Sequence, residues 1–301
     1  MLAGYRHSIC ALTISCLTSG FVSGAAPQPP PDPAIVVSAS SASARPGDVI
    51  VLTVRVPQPV TMMRVRAFDH DIPAFSVSAR TWRALVGIDL DTRAAAYSIA
   101  IESGDPPGAI RQTLPIVVTT RRFRTRTLTV DAAFVNPPPS ALERIAREAA
   151  ELNALWSKSS STRLWNGPFI RPVPDPANSA FGTRSILNGE PRSPHSGADF
   201  NSMEGRPIKA PNAGRVVVAG ERYFTGNTVV IDHGLGLFSL FAHLSEMDVH
   251  VGDSVTTGHV IGKVGATGRV TGPHLHWSVR LNDARVDPLS LLKVLGSSPG
   301  R

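Results

Sequence analysis

Cysteine is nearly absent from this chain. Its 301 residues include only Cys10 and Cys16, both close to the start. Beyond them there can be no disulfide framework and no thiolate ligand, so a metal site there must be built from His, Asp and Glu. Long apolar runs are also missing after the first 25 residues, so nothing later is suited to span a bilayer as a helix. Aromatic residues make up 6% and charged residues 18%. Acidic residues are the minority, 23 against 30 Lys and Arg, for a formal net charge of +7. That balance suits an anionic partner such as cell wall, membrane surface or nucleic acid, and it serves plain solubility as well. What the chain has in quantity is proline and glycine, 26 and 25 residues, which favour short strands and turns over long helices. With 42% hydrophobic residues it has the material for a sizeable core, and its length suits two ordinary domains.

Residues 1–25 have the features of a secretory signal. Arg6 and His7 make a weak basic start, Ile9 to Val22 is mostly apolar, and Ser23-Gly24-Ala25 offers small residues for cleavage. The residues before Cys16, Thr13-Ile14-Ser15, are a poor lipidation motif. Residues 26–34 are Pro-rich and predict a flexible linker. Over residues 35–136, short apolar runs such as Val49-Ile50-Val51-Leu52-Thr53-Val54 and Tyr97-Ser98-Ile99-Ala100-Ile101 alternate with turn signals such as Pro46-Gly47-Asp48. That pattern predicts a small β-sandwich of immunoglobulin-like type. Arg122, Arg124 and Arg126 alternate within Arg121 to Val130 and predict one solvated strand face.

Residues 137–160 predict a connecting helix. Ser140 and Glu143 read as a capping box after Pro137-Pro138-Pro139, and Leu142, Ile145, Ala149 and Leu152 recur at helical spacing. Residues 161–301 return to β texture, with candidate strands at Gly214 to Ala219, Thr228 to Asp232, Leu237 to Leu244, Val260 to Val264 and His274 to Leu281. The stretch from Gly205 to Gly214 loosely echoes Gly252 to Gly258, which hints at a fold of two similar halves.

Seven of the nine histidines fall between His195 and His276. His195 and Asp199 stand four apart in Pro194-His195-Ser196-Gly197-Ala198-Asp199, where Gly197 offers a bend that lets them converge. His274 and His276 stand two apart in Gly272-Pro273-His274-Leu275-His276-Trp277. On a strand, His274, His276, Ser278 and Arg280 share one face and Leu275, Trp277, Val279 and Leu281 the other. His243 lies between the two motifs, in Phe241-Ala242-His243-Leu244. Two His and one Asp suit a catalytic zinc with its fourth position open, so the residues alone point to a metal-dependent hydrolase. His233 reads as a turn residue near the groove, and His250 and His259 as exposed.

Taken together these motifs resemble the lysostaphin-type, or LytM-type, zinc peptidases. The resemblance covers roughly Phe181 to Leu292 and extends to Phe181-Gly182-Thr183-Arg184, Asn188-Gly189, Ala210-Pro211-Asn212-Ala213-Gly214, Gly265-Ala266-Thr267-Gly268 and Val286-Asp287-Pro288. It implies a mainly β fold whose second domain is antiparallel with an open groove. It implies one Zn2+ per chain held by His195, Asp199 and His276, with His243 and His274 as catalytic histidines outside the ligand set. Arg184 and Asn188 would line the substrate groove by the same analogy. The implied substrate is peptidoglycan, at stem peptides or cross-links, with no nucleic-acid partner and no stable membrane insertion after signal removal. The implied location is the periplasm or cell envelope, or the extracellular space. Ser278 stands where many such enzymes carry Gly, a difference confined to groove shape. Two rival classes are a catalytically inactive activator of other wall hydrolases, which the presence of all five His and Asp positions opposes, and a phosphoryl carrier, which an export signal opposes.

Overall fold

Apolar alternation in the first region builds two sheets. In the computed structural model, which describes residues 35–104, 109–129, 135–177 and 181–296, one sheet has four strands and the other five. The four-stranded sheet runs in the order Val36–Ala39, Val49–Arg55, Thr81–Gly87, Ala74–Ser78, all antiparallel. The five-stranded sheet runs Ser43–Ala44, Ile110–Val118, Ala95–Ser103, Met63–Ala67, His70–Ile72. Ile50, Leu52, Val54, Ala84 and Val86 from the first meet Val65, Ile99, Ile101, Ile116 and Val118 from the second in one buried cluster. Val49 and Leu85 point the other way, into the core of the second region. Both faces of this sheet are therefore covered, which is why Val49–Leu52 is continuously apolar instead of alternating.

The second region is a nine-stranded antiparallel sheet. Its main path runs Gly197–Phe200, Leu275–Leu281, Leu237–Met247, Gly226–Gly234, Gly214–Arg222, Ser254–Val255. Trp277, Phe200, Phe241, Ile231 and Val279 fill the core on one face. Val230, Phe238, Leu240 and Ala242 face the other way and meet Trp156 of helix α1 (Pro139–Trp156). The echoing glycine-rich stretches exchange short strands: Pro207–Lys209 pairs with Val260–Val264, and Ser254–Val255 pairs with Gly214–Arg222.

Helix α1 departs from the capping-box expectation. It starts at Pro139 with Pro138 as N-cap and no side-chain cap, because proline at the first helical position has no N–H that needs one. Its packed face is also rotated. Leu152 and Leu155 reach the sheet with Trp156, whereas Leu142 is 53% exposed. Glu148 fixes this seating by accepting from Arg144 Nε at 2.6 Å and from the Tyr223 backbone N–H at 2.8 Å. The arginine strand is shorter than the alternation predicts: only Thr125–Leu128 is extended, so Arg122 and Arg124 lie outside it. That strand joins Arg184–Leu187 in parallel, in a separate three-stranded sheet with Glu190–Pro191, and so belongs to neither sheet of the first region. The segments expected to be signal and linker, and both cysteines, lie outside the described residues. Among the described residues no helix is long and apolar enough to cross a membrane.

Polar contacts tie the two regions together. Arg285 donates to Asp89 at 2.6 Å and to Asp91 at 2.7 Å. Arg121 donates to Asp287 at 2.9 Å, and Asp287 caps helix α2 (Pro288–Leu295) by accepting from Leu289 N–H at 3.0 Å.

His233 is not a turn residue at a groove. It is fully buried in the Gly226–Gly234 strand, with Nδ1 donating to Ala213 O at 2.8 Å and Nε2 accepting from Ser239 Oγ at 3.0 Å. Burial pushes its pKa down to about 4, against the weaker pull of the Ala213 carbonyl and Asp232. A lowered histidine pKa contributes stability that is whole above about pH 6.5 and is lost as pH falls toward about 4, because the unfolded chain binds the proton first. The contribution is about 3 kcal/mol across that window. Urea unfolding at pH 7 and pH 4.5 is expected to show this loss, and His233→Asn to flatten part of it; an undiminished pH slope in the variant would refute the assignment.

Candidate metal and peptidase site

Strand register brings the first pair together. Asp199 on Gly197–Phe200 lies directly across from His276 on Leu275–Leu281. Ala198 and Phe200 turn into the core, so Asp199 turns out, and the same alternation turns His276 out beside it. His276 Nδ1 stands 3.0 Å from Asp199 Oδ1. His195 arrives two residues before the strand and is held by its backbone, which donates to Thr183 O at 3.0 Å and accepts from Gly182 N–H at 2.7 Å. Its Nε2 also stands 3.0 Å from Asp199 Oδ1. One ligand atom from each of these three residues lies within 4.8 Å of the others.

Gly197 acts here through space and not through a bend, since its φ is not in the left-handed range. A Cβ at this position would lie 2.5 Å from Trp277 O and 2.7 Å from His276 Cε1. The missing side chain lets the two strands close around the Asp199–His276 pair.

His243 reaches the same recess by a different route. Phe241 pairs with Trp277 and Ala242 with His276, so unbroken alternation would send His243 to the core face. The strand bulges there: Ala242 and His243 together face Thr228 alone, between the pairs Phe241–Val229 and Leu244–Asn227. His243 takes a φ of 68°, unusual for a residue with a side chain and costing about 1–3 kcal/mol. The kink turns its ring to 5.0 Å from that of His274 and 6.1 Å from that of His276.

Both of these outer rings have a fixed tautomer. His243 Nδ1 donates to Thr267 O and His274 Nδ1 to Gly272 O, each at 2.9 Å. A carbonyl only accepts, so each Nδ1 carries a proton, and whenever the ring is neutral its lone pair is on Nε2. His274 Nε2 lies 3.9 Å from Asp199 Oδ1. Sequence reading missed Thr267 and Gly272 as orienting groups. Both act through backbone oxygens, which leave no side-chain signature.

Burial sets the electrostatics. It raises the Asp199 pKa, but hydrogen bonds from His195 and His276 outweigh it and hold the carboxyl well below the usual carboxylate range. Burial lowers His276, with Asp199 pulling the other way. Burial, followed by the neighbouring His276, pushes His243 down to about 4, so that ring is neutral near pH 7. All five side chains expected at the site are thus gathered in one recess. Arg184 and Asn188 lie on the Arg184–Leu187 strand and in the turn after it, and both are exposed.

Comparison with known proteins agrees with this picture. The model of peptidase family M23 matches residues 193–288. A crystal structure of a chain from Pseudomonas aeruginosa assigned to peptidase M23 superposes with a TM-score of 0.65 at 37% identity, covering 82% of this chain and 94% of that one. The DD-carboxypeptidase/endopeptidase Mpg of Neisseria meningitidis is 42% identical over 97 residues, which is 32% of this chain and 22% of Mpg. Lysostaphin of Staphylococcus staphylolyticus is 38% identical over 108 residues, 34% of this chain and 22% of lysostaphin. The match therefore spans less than a quarter of either curated relative. Fold and sequence define the class as that of the β-rich M23 peptidases. The chain belongs to peptidase family M23.

Gly197→Ala is expected to weaken binding of a divalent ion and to cost about 1–3 kcal/mol by overpacking. Gly220→Ala, where a Cβ meets nothing within 4 Å, is expected to change neither. Equilibrium dialysis against zinc together with thermal unfolding reads both; equal behaviour of the two variants would contradict the packing argument.

Proposed function

We propose that this protein is an exported zinc metalloendopeptidase that hydrolyses peptide bonds in peptidoglycan stem peptides or cross-links. The observation that carries the proposal is the approach of His195 Nε2 and His276 Nδ1 to one carboxylate oxygen, both at 3.0 Å, with two further imidazoles beside them whose Nδ1 atoms are tied to backbone carbonyls. Two imidazole nitrogens and one carboxylate fit the donor set of a catalytic zinc, and three ligands leave one position for solvent. One ion per chain is held by His195, Asp199 and His276. When bound, zinc acidifies water and polarises a peptide carbonyl.

The protein's own groups do the rest. Asp199 stays ionised, so the ligand cluster keeps a negative charge for a cation. Of the outer pair, one ring takes a proton from the attacking water at Nε2 and passes it to the leaving amine. The other, as imidazolium, donates to the oxygen on which charge develops. His243 is neutral near pH 7 and so has its lone pair ready. The carbonyls of Thr267 and Gly272 stop either ring from turning away. Arg184 and Asn188 are assigned to the substrate-lining margin. The name peptidoglycan DD-endopeptidase, carried by relatives from Vibrio cholerae, supports the peptidoglycan assignment. A non-catalytic activator would not need this complete set, which makes that alternative the weaker one.

His276→Ala is expected to abolish activity and most zinc binding. His243→Ala is expected to retain zinc and lose about 10²–10⁴-fold in rate. Metal analysis of the purified variants, with mass spectrometry of muropeptides released from peptidoglycan, separates the two roles. Equal zinc loss in both would overturn the ligand assignment.

A further inference from the structure

The polar contacts of helix α1 reach further than its seating on the sheet. The Glu148 side chain is 15% exposed, and its carboxylate accepts from Arg144 Nε at 2.6 Å and from the Tyr223 backbone N–H at 2.8 Å. Tyr223 opens the turn Tyr223-Phe224-Thr225, which joins the strands Gly214–Arg222 and Gly226–Gly234. Arg222, at the strand end before it, donates from Nη1 to Glu148 O and to the Glu151 carboxylate, both at 3.3 Å. Of these contacts, the one from the Glu148 carboxylate reaches the backbone of the turn itself.

The next two residues of the turn hold His243 and the segment that orients it. Thr225 O accepts the His243 N–H at 2.8 Å, at the residue whose left-handed φ swings its ring out of the core. Phe224 O accepts the Arg269 N–H at 2.9 Å, two residues beyond the Thr267 carbonyl that bonds the His243 ring. Asn227 N–H donates to Thr267 Oγ1 at 2.9 Å. A Cβ on Gly226 would strike Thr267 at its Oγ1, C and O, and a Cβ on Gly268 would lie 2.6 Å from Phe224 O. The turn and the Thr267–Arg269 segment thus lie in contact without slack, and close packing passes a displacement on instead of absorbing it. Both bonds on His243, at its backbone N–H and at its ring Nδ1, depend on where this turn lies.

A histidine in a left-handed conformation keeps it only while its surroundings impose it. A carboxylate is the strongest acceptor a side chain can offer to a backbone N–H. We propose that Glu148 is a positioning residue for His243: by fixing Tyr223 it fixes the turn that sets both the kink of the His243 backbone and the orientation of its ring. This rests on the peptidase reading, in which the His243 ring moves or holds a proton at Nε2. Glu148 itself touches no reacting atom. Helix α1 serves the site through it, in addition to connecting two stretches of β structure.

Two measurements on the full zinc-loaded chain test this together: turnover of a soluble cross-linked muropeptide dimer, and nitrogen NMR spectra of the histidine rings. Glu148→Ala is expected to lower kcat about 10- to 100-fold with KM and zinc content unchanged, because a displaced group costs rate without loosening substrate. In its spectra the His243 Nδ1–H signal is expected to weaken or give way to the other tautomer. The signal of His233, tied to Ala213 O at the far end of the Gly226–Gly234 strand, is expected to stay as in wild type. Glu148→Gln keeps an oxygen acceptor for the Tyr223 N–H and is expected to bring kcat back to within about threefold of wild type. Glu151→Ala removes an exposed bridge between the same helix and the same hairpin and is expected to change neither kcat nor the ring signals. Arg144→Ala frees the Glu148 carboxylate without removing it, is expected to lower kcat about threefold or more, and takes the place of Glu148→Ala should that variant not fold. Wild-type kcat and an unaltered His243 signal in the folded variant, even with a lowered melting temperature, would make Glu148 an anchor of the helix alone and overturn the proposal. An equal loss of kcat in Glu151→Ala would overturn it as well. A wild-type chain that leaves the dimer uncut would refute the peptidase reading instead, and the ring signals would then decide the positioning by themselves.

Discussion

The functional recess depends on one cross-strand register. Asp199 lies opposite His276 in an antiparallel pair, and every other group is placed with respect to that pair. A slip by one residue would send both side chains into the core and bring Ala198, Phe200, Leu275 and Trp277 to the surface. The large apolar residues on the inner face therefore fix the position of the polar ones on the outer face. Gly197 lets the strands approach closely enough for this. The carboxylate then receives two imidazoles at once, which holds it ionised against its own burial.

Around this rigid pair the molecule places less regular pieces. His195 comes from irregular chain anchored to Thr183 and Gly182, and His243 from a bulge with left-handed backbone. The bulge is tolerated because its surroundings over-determine it. His243 N–H donates to Thr225 O at 2.8 Å, its Nδ1 is tied to Thr267, and Gly226 gives Thr267 room that a Cβ would occupy. Strain at one residue is set against packing and hydrogen bonds spread over several. The first region supports the same structure from a distance. Arg121 bridges to Asp287, its guanidinium lies near both Phe123 and Phe181, and Phe181 precedes the Gly182 that bonds His195.

Much of this was legible in the residues. The β texture placed the Val260–Val264 strand, and period-two alternation put His276 opposite the Trp277 face, because burial on one side of a strand leaves a plain pattern. The gathering of five His and Asp side chains followed from motif spacing and family likeness. Where reading failed, the decisive force was non-local or carried by backbone. The kink that turns His243 has no marker in Phe241-Ala242-His243-Leu244. The orienting carbonyls of Thr267 and Gly272 belong to no side chain. His233 resembled a turn residue because Gly234 follows it, yet the sheet buries it completely. The arginine alternation from Arg121 overstated a strand that extends only over Thr125–Leu128, since its partner Arg184–Leu187 offers four residues to pair with.

The most direct test of the central claim is X-ray absorption at the zinc edge on the purified chain, with metal quantified in the same sample. One zinc per chain is predicted, showing scattering from two imidazoles and oxygen donors at about 2.0–2.2 Å. A spectrum without paired imidazole scattering, or a preparation that takes up no zinc, would contradict the site described.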